Sequence, residues 1–69
     1  GGDQQAALSY FEKAKDLAPK SADAWFELQM AYQKVGDLIK AQQALAQAQQ
    51  IDPEIAQKFA QKGANPANK

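Results

Sequence analysis

The chain of 69 residues contains no cysteine, no histidine and no arginine. Without cysteine no disulfide can brace it. With neither cysteine nor histidine, the usual ligands of a zinc or iron–sulfur site are missing, and no metal or cofactor is expected. Eight lysines balance eight acidic residues. Nucleic-acid binding needs concentrated positive charge, and arginine makes the best base contacts, so a neutral chain without arginine is poorly equipped for it. No apolar run approaches the roughly 18 residues that a membrane-spanning helix needs, and membrane insertion is not expected. The opening GGDQQAAL lacks the basic and apolar regions of a secretion signal. Threonine is also absent, and Ser9 and Ser21 are the only serines. Ser21 is explained as a helix cap, and Ser9 has no base at an arranged spacing. The carboxylates are spaced as caps or stand alone, so an enzyme is not expected.

β-Branched residues are scarce: one valine and three isoleucines. Alanine and glutamine dominate, which favours helix because alanine loses no side-chain entropy and glutamine little. A chain this short buries only about 60% of the surface its unfolded form exposes, so its stability is marginal unless its elements pack closely.

Punctuation divides the chain into four helices. Asp3 is expected to cap a helix over residues 3–18, which must end before Pro19. Ser21 caps a second helix, from Ala22 to about Val35, and Gly36 supplies a left-handed stop. Asp37 caps a third, from Leu38 to about Gln50. Asp52, Pro53 and Glu54 open a fourth, which runs to about Lys62, with Gly63 ending it and residues 64–69 forming a polar, frayed tail. The connections are short, so neighbouring helices should be antiparallel. At 100° per residue, Ala24, Trp25, Leu28, Ala31, Tyr32 and Val35 share one arc of the second helix, and Leu38, Ala41, Ala44, Leu45, Ala48 and Ile51 one arc of the third. Large residues on one helix meet alanines on the other, which lets the two backbones approach closely.

The same pattern recurs after 34 residues. Gly2, Asp3 and Ala7 fall on Gly36, Asp37 and Ala41. Phe11, Ala14, Leu17 and Pro19 fall on Leu45, Ala48, Ile51 and Pro53, and Trp25 falls on Phe59. A fixed period of this size marks a stacked helical repeat. Trp25-x-x-Leu28-x-x-x-Tyr32, followed by Ala41, Leu45, Ala48 and Pro53, resembles the tetratricopeptide repeat. The resemblance covers residues 2–62: the second helix of one repeat (3–18), a full repeat (21–52) and a closing helix (53–62), making one domain over residues 1–63. It departs at Gln29, where the family has glycine or alanine, and at Leu45, where it has an aromatic. Lys62 and Pro66 stand where a further repeat would have leucine and tyrosine.

The resemblance implies an all-α fold of antiparallel helix pairs stacked as a short right-handed solenoid. It also implies a non-enzymatic interaction module, a scaffold or adaptor that binds a protein or peptide in its concave groove. The groove positions are Asp23, Phe26, Met30 and Gln33 on the second helix, with Gln57, Ala60 and Gln61 on the fourth. Phe26 and Met30 lie on the arc away from the hairpin core; the competing expectation is that they pack on the neighbouring helices. Some relatives clamp a C-terminal carboxylate with a Lys/Asn/Arg cluster, and Phe26 and Met30 at those positions disfavour that subtype. The first helix begins halfway through a repeat, so its apolar side, with Leu8, Tyr10 and Phe11, is expected to be partly uncovered. Two explanations are consistent with this: the chain ends a longer array, or it self-associates as a homodimer; as the alternative function, the first helix is then a structural element for homo-oligomerisation or for intramolecular packing on the rest of its parent protein.

Overall fold

The computed structural model describes residues 2–64, with side chains at residues 3–61. Four helices account for most of them: α1 Gly2–Leu17, α2 Ala22–Lys34, α3 Leu38–Ile51 and α4 Ile55–Ala64, with no strand among the described residues. The caps explain the boundaries. The Ser21 hydroxyl accepts from the Ala24 N–H at 3.2 Å, satisfying one orphan donor of α2. At the other end Gly36 sits at φ +85°. Its N–H donates to the Gln33 carbonyl at 3.1 Å, and the Asp37 N–H donates to Tyr32 at 2.9 Å. This paired closure needs a left-handed residue, which glycine supplies at least cost. The Asp37 carboxylate then accepts from the Lys40 N–H at 3.2 Å and starts α3.

Three boundaries differ from the sequence expectation. Helix α1 begins at Gly2, so Asp3 lies inside its first turn, where a carboxylate faces the positive end of the helix dipole, and is not the cap. Pro53 and Glu54 form a turn rather than the first turn of α4. Asp52 still serves both helices. Its N–H closes α3 on the Ala48 carbonyl at 2.9 Å, and its carboxylate accepts from the Glu54 N–H at 3.0 Å and from Lys58 Nζ at 2.7 Å. The Lys58 hydrogen bond, then that of Glu54, holds the Asp52 carboxyl below its usual range. Finally, α4 continues through Gly63 to Ala64, where the tail was expected to start; residues 65–69 lie outside the described residues.

Helix α2 is the centre of the stack. It packs most extensively on α3, then on α1, and more lightly on α4, which also touches α3. Leu28, Ala24 and Ala31 are buried on its hairpin side, and Ala41, Ala44 and Ala48 are buried on α3. Full burial of a leucine contributes about 1.5–3 kcal/mol. Small residues on α3 let α2 approach closely enough to secure that contribution. A second cluster joins Ala22 and Phe26 of α2 to Ala48 of α3 and Ile55 of α4, with Trp25, Leu45 and Phe59 packed against it.

Gln29 is also buried, and its Oε1 finds no hydrogen-bond partner among the described residues. A glutamine where the family has a small residue therefore brings an unsatisfied acceptor into a helix contact. Leu28→Ala should lower stability by about 2–5 kcal/mol, whereas Gln29→Met should be neutral or stabilising, because it keeps the volume and removes the orphaned oxygen. Chemical denaturation of the two variants against the parent, with the m-value checked for constancy, tests both outcomes.

Candidate protein-docking groove

The residues expected to form one binding face are separated by the fold. Phe26 is only 9% exposed. Its ring lies 4.6 Å, centroid to centroid, from that of Phe59. It is core between α2 and α4, not groove surface. The physical reason is that the central helix of a stack is covered on more than one side, so the arc away from the hairpin core is claimed by the next helix. Ile55 and Phe59, two large apolar residues on α4, were the signal that such a seat was needed on α2.

Asp23 is exposed and lies within electrostatic reach of Lys58. Gln57, Ala60 and Gln61 are exposed along α4. Gln33 is exposed too, but faces a small depression of about 120 Å³ between α2 and α3, with Gln29, Leu38 and Leu45 around it. Met30 turns the other way. At 36% exposure it borders a cavity of about 500 Å³ between α1 and α2. Helix α1 contributes Asp3, Gln4, Ala7 and Phe11 to its walls, and α2 contributes Glu27, Met30, Ala31 and Lys34. The floor is apolar, from Ala7, Phe11, Met30 and Ala31, and two carboxylates and one ammonium stand at its edges.

This groove joins residues from two separate expectations: Met30 from the peptide face and Phe11 from the first helix. Leu8 and Phe11 are half-buried, whereas Tyr10 is 68% exposed and meets the Phe11 ring edge-on at 5.3 Å.

Polar contacts link α1 and the turn that follows it to α2. The Tyr32 hydroxyl donates to Glu12 at 2.8 Å. The Trp25 indole N–H donates to the Pro19 carbonyl at 2.7 Å, and Lys15 Nζ lies 5.2 Å from the centre of the Trp25 ring. Burial, then the hydrogen bond to Glu12 and the charge of that carboxylate, pushes the Tyr32 hydroxyl from 10.0 up to about 12. In chemical terms the groove offers apolar area with a charged edge, and neither a nucleophile nor a paired acid and base lines it. No group of histidine, cysteine, aspartate and glutamate that could hold a metal ion occurs among the described residues. No helix among them is long and apolar enough to cross a membrane.

Antiparallel helix hairpins stacked at a regular interval define a helical-repeat protein, a class that presents surfaces to other proteins. The family model of the tetratricopeptide repeat matches residues 1–21 and 22–55. The chain belongs to the tetratricopeptide repeat family, with about two repeats. Members of this family generally mediate protein–protein interactions. Searches of curated proteins and of solved structures found no match to the chain.

The Tyr32 hydroxyl gives a direct reading of the α1–α2 contact. Its folded value lies above the unfolded value of 10.0, so its contribution to stability is complete below pH 10 and is lost as pH rises towards about 12. In a Tyr10→Phe background, tyrosinate absorbance should rise in one step near pH 12, and Glu12→Gln should move that step down. The loss of stability between pH 10 and 12 should be smaller in Tyr32→Phe than in the parent.

Proposed function

We infer that the chain is a non-enzymatic interaction module that receives a protein segment in the groove between α1 and α2. The observation that carries this is a comparison within the chain. Ala7 and Tyr10 of α1 correspond, 34 residues on, to Ala41 and Ala44 of α3. Ala41 and Ala44 are 3% and 2% exposed, whereas Ala7 and Tyr10 are exposed. Among the described residues the same side of the same kind of helix is therefore covered in one repeat and open in the other. The open side runs into the apolar floor at Phe11 and Met30. An apolar concavity with charged edges is the ordinary form of a protein-docking site. Met30 suits it, because an unbranched thioether adapts to the shape of what it meets. The concave positions Asp23, Gln57, Ala60 and Gln61 then serve as a polar flank and not as the anchor.

A second reading is homo-oligomerisation through α1. It is favoured by Tyr10 and by Leu17, one of the most exposed large apolar residues described. The two readings predict different masses in solution. Sedimentation equilibrium between roughly 1 and 100 μM brackets weak to moderate association. The docking reading expects a monomer throughout. It also expects peptides selected from a random library against the chain to be lost from Ala7→Glu and Met30→Glu, and retained by Gln57→Ala and Gln61→Ala. A dimer that Ala7→Glu dissociates would establish the second reading instead. Selected peptides that ignore Ala7 and Met30 but follow Gln57 and Gln61 would return the site to the concave face.

A further inference from the structure

We draw no further inference here: the strongest candidate, the depression of about 120 Å³ between α2 and α3 where the buried Gln29 lies beside Gln33, Gln42 and Leu38, carries nothing, because the Gln29 Oε1 that lacks a hydrogen-bond partner is itself shielded from the depression and nothing in the structure shows what covers that face.

Discussion

Ala48 has no exposed surface, and most of the structure depends on how small it is. It lies where three helices meet: α2 through Ala22 and Phe26, α4 through Ile55, and its own α3. A larger side chain there would push α2 and α4 off α3 together, because interiors at crystal-like density do not yield by a methylene without strain. Ala41 and Ala44 extend the same constraint towards the N-terminus of α3. The chain has no disulfide and too little volume for a large core. What it has in their place is close backbone approach over a line of alanines, which raises the number of dispersion contacts each large residue of α2 can make. The scarcity of β-branched residues fits this design, since their stiff side chains would crowd a helix contact.

The α1–α2 contact is built on a different principle. Its specific links are polar: Tyr32 to Glu12 and Lys15 over the Trp25 ring, with the Trp25 indole also bonded to the Pro19 carbonyl in the connecting turn. Hydrogen bonds of this kind are worth about 1 kcal/mol each in net stability, against several for a buried large apolar side chain. Among the described residues helix α1 is therefore held in register at the flank that meets α2. Stability in a repeat protein is close to a sum of terms within repeats and between nearest neighbours. Among the described residues α1 packs on α2 alone, and elements with few packing neighbours sit at the low end of local stability.

The parts of this arrangement that follow from local chemistry could be read from the chain. Ser21 and Asp37 cap helices because a short polar side chain can reach a free N–H, and Gly36 stops α2 because it alone adopts positive φ cheaply; each depends on a few adjacent residues. The 34-residue recurrence carried the pairing of helices, since like sizes had to fall on like sizes. What the sequence left open were the assignments that depend on a third helix. The burial of Phe26 could not be obtained from the wheel of α2 alone, because that wheel shows which residues avoid α3 and not which residues α4 then covers. Gln33 was grouped with Met30 by its place on the same helix, yet the two face different depressions, with Gln33 towards α3 and Met30 towards α1. Asp3 reads as a cap from its residue type and its place before the helical pattern; α1 starts at Gly2 and places it in the first turn.

The two contrasting contacts meet at the groove between α1 and α2. Its α2 wall includes Ala31, which is buried next to the hairpin core, and Met30, which is exposed beside it. Its α1 wall includes Phe11, which is half-buried against α2. A protein segment docked in the groove as proposed would rest on Ala7 and Phe11, and by pressing on Met30 it would bear on the helix around which the other described helices pack. Binding free energy and folding free energy are then coupled: an occupant at a hundred times its dissociation constant adds about 2.7 kcal/mol to stability. In a domain of this size that is a large fraction of the total. The alanine stripe of α3 makes the stack self-sufficient on one side. On α1 the corresponding stripe is interrupted by Tyr10, which stands 68% exposed, so the two helices present different surfaces at the same repeat positions.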